Sequence, residues 1–294
     1  MDPHPFTQPF STAEALRDGV SRGRLRSRSL VAPFRGMRIA RDSDCDDARL
    51  RAFAAHRLTD YAFSHTTAAA LYGIPLPAWC SAEIHVSVPG TCRAPVVRGH
   101  VGHKLSRWEI TEVRGLPVTR PEQTWLDLAT LLDVQELVVA GDSLVGGRPP
   151  LTSLELLSAA VAASAGRRGA GRARHALERV RRGAESPGET RLRLALSDAG
   201  LPEPILNHPI FDPSGRFVAR VDLAYIGPRV ALEYEGDIHR VDRATWRKDI
   251  TRRELVEDLG WRMVRITADD LRDQAALVAR ITHLLLARAP RSGA

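Results

Sequence analysis

The chain has 294 residues, of which 44% are hydrophobic, and it carries a formal net charge of +7 at pH 7. That length predicts two or three domains of ordinary globular composition. No stretch approaches the roughly 18 apolar residues of a membrane span, and the N-terminus lacks the basic-then-apolar order of a secretory signal. Three cysteines without metal-type spacing indicate reduced thiols, so we expect a cytoplasmic protein.

Positive charge is concentrated in two segments. Residues 17–41 carry a net charge of +7 and residues 165–182 carry +6, which leaves −6 for the rest of the chain. Two basic patches on an otherwise acidic protein predict a polyanionic partner, with DNA as the first choice. The alternative is a solvated, arginine-rich surface without a ligand.

Residues 1–45 predict a winged-helix-like DNA-binding unit. Ser11 and Glu14 have the spacing of a capping box, which begins a helix. A second short helix is expected over residues 22–31, and residues 33–39 resemble the strand turn of a wing. Such a unit would direct five arginines towards phosphates: Arg24, Arg26, Arg28, Arg35 and Arg38.

Residues 46–160 predict a mixed α/β domain. Helical patterns cover residues 46–58, 65–72 and 122–132, and an alternating strand covers residues 82–88. The histidines of this region, His65, His85, His100 and His103, occur at unrelated spacings. They therefore do not indicate a catalytic or metal site.

Residues 161–183 predict an Arg-rich linker or exposed helix and the best domain boundary. This segment adds four arginines to the candidate nucleic-acid-binding residues: Arg167, Arg168, Arg172 and Arg174. Residues 184–294 then form one unit, whose elements follow the order helix, three strands, helix, strand, helix. The fold class predicted for the whole chain is α/β, in the broader sense of α+β.

The most informative stretch is a predicted hairpin in this last unit. Alternation over residues 216–225 and 229–235 indicates two half-buried strands. A turn centred on Gly227-Pro228 would set Asp222 directly across from Glu233 and Arg220 across from Glu235. Facing carboxylates repel each other, so a cation is expected between them, and magnesium prefers such oxygen ligands. The alternative is a polar strand face in water.

The order of elements in residues 184–294, with Asp222 and Glu233 on the hairpin, resembles the PD-(D/E)XK nuclease fold. The closer resemblance is to an uncharacterised family related to very-short-patch-repair endonucleases. Its motifs are Ser186…Glu189, Val221-Asp222, Leu232 to Gly236 followed by His239, Asp249…Arg252-Arg253…Leu255, and Gly260 to Arg265. The resemblance implies a restriction-endonuclease-like core with the order αβββαβα.

The N-terminal two-thirds resembles the abortive-infection type IV antitoxin family, in which a winged helix precedes a mixed domain. Four stretches carry this resemblance: Arg35 to Ile39, Ser64 to Gly73, Ile84 to Pro89, and Gly115 to Pro121 with Leu126 to Ala129. It leaves open a cognate toxin or another protein as partner.

The nuclease resemblance implies hydrolysis of phosphodiester bonds with Mg²⁺ or Mn²⁺. Asp222 and Glu233 would hold the metal, which lowers the pKa of a bound water. Glu189 would approach the same site, although the capping box with Ser186 explains this residue equally well.

Two further residues are candidates for the chemistry. Glu235 stands where many such nucleases have lysine, and it would be a further metal ligand or would orient water. The missing cation could come from Lys248, Arg252 or Arg253. His239 would shuttle a proton, or it is an ordinary loop histidine.

Two functions therefore stay open. One is a magnesium-dependent DNA endonuclease with an appended DNA-binding head. The other is a DNA-binding regulator or antitoxin-like protein whose nuclease-fold domain is inactive. The missing lysine favours the regulator, and the retained acids Asp222, Glu233 and Glu189 favour the enzyme.

Overall fold

The structure, a computed structural model, describes residues 8–43, 46–56, 60–80, 83–97, 99–236 and 243–289, with the side chains of residues 243–250 outside this description. The chain divides into two compact units. The first unit comprises Met1–Tyr72 and Cys80–Arg120, and the second comprises Gly73–Trp79 and Pro121–Ala294. The fold is mixed α/β, as predicted.

The first unit combines a small N-terminal sheet with a larger mixed sheet. Its elements are β1 (Phe10–Ser11), α1 (Thr12–Arg17), β2 (Leu30–Val31), β3 (Met37–Ala40), α2 (Asp46–His56), β4 (Ala62–Phe63), α3 (His65–Tyr72), β5 (Ile84–Pro89), β6 (Val96–Val97), β7 (His100–Leu105), β8 (Ile110–Val113) and β9 (Leu116–Thr119). The strand orders are β1-β3-β2 and β6-β7-β5-β4-β9-β8, and β5 runs parallel to β7. Phe53 of α2 and Phe63 of β4 lie in the core between α2, α3 and the larger sheet.

The helix expected over residues 22–31 is wrong. The structure has a single 3-10 turn, Arg24–Arg26, followed by β2. The hydroxyls of Ser27 and Ser29 lie 2.9 Å apart, and the Ser29 N–H donates to the Ser27 hydroxyl at 3.2 Å. Such local side-chain bonds offer the backbone an alternative to the helix. The expected strand turn does form, with Gly36 at φ +85° just before β3.

The second unit packs helices around one sheet. Its elements are α4 (Pro121–Leu128), α5 (Val134–Gly146), α6 (Leu154–Ala163), α7 (Ala170–Leu177), α8 (Pro187–Asp198), β10 (Ile205–Phe211), β11 (Phe217–Tyr225), β12 (Val230–Glu235), α9 (Arg243–Asp258), β13 (Arg262–Thr267), α10 (Ala268–Arg272) and α11 (Gln274–Ala287). The sheet order is β10-β11-β12-β13, with β13 parallel to β12. Leucines of α8 and α11 pack on one face of the sheet, and Val256 of α9 packs on the other.

The domain boundaries differ from those predicted. Residues 161–183 lie within the second unit, where α7 packs against α5 and α6. The reason is a stripe of small residues, Ala170, Ala173 and Ala176, which is fully covered while the arginines between them point outward. Residues 1–45 share the first compact unit with residues 46–72 and 80–120 of the predicted mixed domain, because Met37 and Ile39 pack against Ala52 of α2. The rest of that predicted domain, residues 73–79 and 121–160, belongs to the second unit.

Within the part of the chain that the structure describes, no helix is both long and apolar enough to cross a bilayer.

Candidate functional site

The predicted hairpin forms with the expected register. Leu223 pairs with Leu232 and Tyr225 pairs with Val230, as expected, and Asp222 and Glu233 come directly after the last paired residues. The face that carries these acids is not a solvated strand face, because helix α9 covers it and Ala231 is fully buried there. Charged side chains on a covered face need partners.

Asp222 is held by the backbone of the neighbouring strand. The Tyr234 N–H donates to the Asp222 carboxylate at 2.8 Å. Burial raises the pKa of Asp222, and the charge of Glu185 raises it further, while the Tyr234 hydrogen bond and the charges of Arg252 and Arg220 oppose the rise. The negative charge of Asp222 is therefore incompletely compensated.

Glu189 approaches the same site from helix α8. Ser186 caps this helix, since its hydroxyl accepts from the Glu189 N–H at 3.2 Å, as the capping pattern predicts. The Glu189 carboxylate accepts from the Glu185 N–H at 2.8 Å, one residue before the cap. Burial raises the pKa of Glu189, and the charge of Asp222 raises it further, so the two carboxylates are neighbours in electrostatic terms.

Glu233 has a different environment, because arginine from the next helix reaches it. The Arg252 guanidinium lies 2.9 Å from a Glu233 oxygen. Arg252 also acts on Asp222 through its charge. Arg252, one of the three cations considered for the missing lysine, thus lies beside the acids. Arg253 instead pairs with Glu257 at 3.2 Å, and the side chains of Lys248 and Asp249 lie outside the described residues.

The Arg220–Glu235 pair suggested by the register is not formed. Arg220 lies 2.7 Å from Glu185, and Glu235 lies 2.9 Å from Arg265 of the adjacent parallel strand. Glu235 is exposed and its carboxylate already has a cationic partner. His239 lies outside the described residues.

A cavity of about 440 Å³ opens beside this carboxylate cluster. Glu185, Ser186 and Arg220 line it, and Arg148 stands on its wall with a largely exposed side chain. The cavity thus brings two arginines to the end of α8 that carries Glu189. In the described part of the chain, no three carboxylates bring their oxygens within 4.8 Å of one another. The acids are therefore neighbours rather than a closed ligand set.

The candidate nucleic-acid-binding arginines fall into two groups. Arg38 is half-buried and donates to the carbonyls of Leu25 at 2.9 Å and Met37 at 2.7 Å, so it braces the small sheet. Arg172 is exposed but donates to the Ala129 carbonyl at 2.8 Å. The remaining members of the set have exposed side chains: Arg24, Arg26, Arg28, Arg35, Arg167, Arg168 and Arg174.

Sequence reasoning missed one cluster altogether. His65, His85 and His103 occur at unrelated spacings in the sequence, yet each places one ring nitrogen within 4.8 Å of the others. The parallel pairing of β5 with β7 sets His85 and His103 on one sheet face, and such long-range registers are not visible in a single sequence. The alternation of His85 with buried valines was the available signal.

Comparison with known proteins gives close relatives. No protein-family profile matches the chain. The chain is 35% identical over 224 residues to "Uncharacterized protein MT2308" of Mycobacterium tuberculosis (strain CDC 1551 / Oshkosh). The aligned residues cover 76% of this chain and 80% of that protein. The same values hold for "Uncharacterized protein Rv2248" of strain ATCC 25618 / H37Rv.

Among solved structures, the crystal structure of the RV2827C protein from Mycobacterium tuberculosis aligns with a TM-score of 0.42 at 17% identity. That alignment covers 70% of this chain and 84% of the other. The sequence identity and coverage shared with MT2308 and Rv2248 show that the chain belongs to the same family as these two mycobacterial proteins.

Proposed function

We propose that the chain is a metal-dependent endonuclease that hydrolyses phosphodiester bonds in DNA. The observation that carries the proposal is the pair of neighbouring carboxylates, Glu189 and Asp222, whose pKa values burial raises. A polar cluster with raised pKa values beside a cavity is typical of a reaction site. The restriction-endonuclease-like core belongs to this proposal and is supported by the order of α8, β10–β12, α9 and β13.

The residues present fit a hard divalent cation in part. Asp222 and Glu189 offer carboxylate oxygens whose charge is incompletely neutralised, and Mg²⁺ or Mn²⁺ binding would remove that penalty. Glu233 would join only by exchanging its contact with Arg252. When bound, the ion would polarise a phosphate oxygen and lower the pKa of a water.

The chain's own residues would carry the remaining roles. Glu189, whose pKa is raised, would accept the proton of the attacking water. The water oxygen bonds to phosphorus as the ester P–O bond breaks. The leaving oxygen would take a proton from solvent. Arg252 does not occupy the position at which such nucleases have lysine, but it lies beside the same acids. It would donate to the phosphate oxygens as their negative charge grows. Arg148 and Arg220 would bind the flanking backbone.

Plasmid nicking tests the proposal. Wild-type protein with Mg²⁺ should nick supercoiled DNA, and chelation with EDTA should stop it. Glu189→Gln should lower the rate by about 100-fold or more, the usual range for a lost proton-transfer group. Asp222→Asn should also lower the rate, because it removes a carboxylate that would hold the metal. Asp269→Asn, an exposed acid on α10, is the matched control and should nick at the wild-type rate. Equal nicking by all four proteins would refute the proposal.

The second candidate function is a DNA-binding regulator with an inactive nuclease-fold domain. It is favoured by the ion pairs that engage Glu233 and Glu235, since both acids already have arginine partners. A gel shift that weakens steeply with salt, without any Mg²⁺-dependent cleavage, would support this function. In that case Asp222→Asn would leave the pattern of bound sites unchanged.

A further inference from the structure

We propose that His65, His85 and His103 of the first unit form a binding site for a divalent transition-metal ion, with zinc as the preferred ion. The proposal does not depend on the nuclease function, because these residues and the carboxylate cluster belong to different units. One ring nitrogen of each histidine lies within 4.8 Å of one ring nitrogen of the other two. Among the described residues, they are the set of three metal-binding side chains that meets this distance.

The spacing of the nitrogens fits a tetrahedral ion. His85 Nδ1 lies 3.0 Å from His103 Nε2. Two nitrogens on one zinc lie about 3.3 Å apart, because each Zn–N bond is about 2.0–2.1 Å long. The ring of His65 stacks on that of His103, with centroids 3.6 Å apart and planes inclined by 16°. The ligand atom of His65 lies within 4.8 Å of the other two, so this ring would have to turn before it could bind the same ion.

The fold holds these rings in place from three elements. His85 lies on β5, His103 on β7, and His65 at the first position of α3. His65 has φ +52°, the left-handed region that a non-glycine residue seldom adopts. Such strain persists where the surroundings enforce it and is concentrated at functional sites. The Thr67 hydroxyl also accepts from the His85 N–H at 2.9 Å, which ties α3 to the strand.

The cluster has the surroundings of a ligand set. The side chains of His65 and His85 are buried, with 6% and 5% of their surface exposed, and His103 is partly exposed. His65 Nδ1 lies 3.1 Å from the Ser64 hydroxyl, so one of the two ring nitrogens is held by a neighbouring polar group, as is usual for metal-binding histidines.

The donor set also indicates which ion fits. Three imidazoles without a carboxylate suit zinc, copper or nickel rather than magnesium or calcium. Three protein ligands leave a fourth position on zinc open to water or another ligand. Without a metal the three rings would form only a stacked, hydrogen-bonded group, so metal content decides between the two.

The test measures zinc in the tag-free full chain. After chelator treatment and dialysis against Zn²⁺, the wild type should retain one zinc per chain, and Co²⁺ should give the visible spectrum of a tetrahedral site. His103→Gln and His65→Asn should weaken zinc binding by more than about 100-fold, the upper range for loss of an outer-sphere partner. Asparagine tolerates the left-handed backbone at position 65.

Two controls make the outcome specific. His175→Gln changes an exposed histidine and should keep the zinc. Asp222→Asn should also keep it, which separates this site from the proposed nuclease site. Less than one zinc per wild-type chain would overturn the proposal, as would equal zinc binding by His103→Gln. The first of these results needs no variant, so a variant that fails to fold does not protect the proposal.

Discussion

Breaking the buried ion pair between Arg193 and Asp142 should strongly lower the free energy of unfolding of the second unit. Both side chains are almost fully covered, and an Arg193 nitrogen lies 2.8 Å from an Asp142 oxygen. Asp142 lies on α5, and it also accepts from the Thr190 hydroxyl at 2.9 Å and the Arg181 N–H at 2.7 Å. The pair therefore joins α5 to α8, the helix that carries Glu189.

The magnitude follows from what a broken pair leaves behind. Burial raises the pKa of Asp142 even though Arg193 and its hydrogen bonds oppose the rise, so desolvation is a large cost here. Arg193→Met would keep the length of the side chain and leave a buried carboxylate without its cation. Breaking a buried pair in this way costs about 3–5 kcal/mol. For a unit of this size, that lowers the melting temperature by roughly 6–20 °C.

Urea unfolding followed by tryptophan fluorescence measures this loss, because Trp125 of the second unit is fully buried. Arg182→Met is the matched control. Arg182 and Glu155 form an exposed pair at 3.4 Å, and such pairs contribute at most about 1 kcal/mol. A loss in Arg193→Met no larger than in Arg182→Met would refute the reasoning.

A double variant separates charge from packing. In Asp142→Asn/Arg193→Met the orphan charge is gone, while the amide oxygen can still accept from the Arg181 N–H. This protein should be more stable than Arg193→Met alone, and the gap should shrink towards pH 4 as Asp142 of the single variant takes up a proton. Equal stability of the two at pH 7 would mean that lost packing, not charge, sets the cost.

Three further predictions concern other parts of the molecule: the start of α8, Asp222 and the histidine cluster. In Gly188→Ala the new Cβ would clash with the ring of Tyr234, so the unfolding free energy should fall by about 1–3 kcal/mol in urea titrations. No change in stability would show that the ring moves freely. Asp222→Asn should stabilise the metal-free protein at pH 7. A carboxyl whose pKa is raised by folding destabilises the folded protein once the pH rises through that pKa, and asparagine removes this cost. Melting curves at pH 3 should therefore show no such gain. Burial lowers the pKa of His65 to about 2 and that of His103 to about 4, so the metal-free first unit should lose stability as the pH falls from about 6.5 to 4. The loss should reach up to about 1.4 kcal/mol per pH unit for each ring. A stability that does not change over this pH range would contradict the prediction.

The acidic hairpin was predictable from the sequence because its determinants are local. Alternation gave the two strands, and the Gly227-Pro228 turn gave the register that Leu223 and Leu232 adopt. The ends of α8 were equally readable, since Ser186 and Pro187 form an N-terminal cap and first turn. The single final helix of the predicted order is instead divided at Asp273, which caps α11.

The partners of the acids were not predictable, because they come from other elements. Arg252 reaches Glu233 from α9, and Glu185 takes Arg220 from the loop before α8. The packing of α9 on the sheet brings Arg252 to Glu233, and the start of α8 brings Glu185 to Arg220. The sequence instead favoured the directly opposed pair of Arg220 and Glu235, whose side chains find nearer partners.

Composition misled where small residues were packed. The Ala-, Gly- and Arg-rich segment 161–183 looked like a linker, but a turn-by-turn alanine stripe lets α7 approach its neighbours closely. Gly169 shows the same closeness, because a Cβ there would meet the Ala129 backbone at 3.0 Å. Low hydrophobicity per residue thus hid a well-packed helix.

The charge arrangement around Asp222 bears on both candidate functions. A regulator that only binds DNA gains nothing from buried acids, because carboxylates repel phosphates and cost stability when desolvated. Here Asp222 and Glu189 keep raised pKa values, although asparagine and glutamine could make the same hydrogen bonds to Tyr234 and Glu185. Acids kept at such a cost beside Arg252 are more readily explained by a cation and a proton to be bound than by a surface that holds DNA. Asp222 and Glu189 therefore support the proposed nuclease over the proposed regulator.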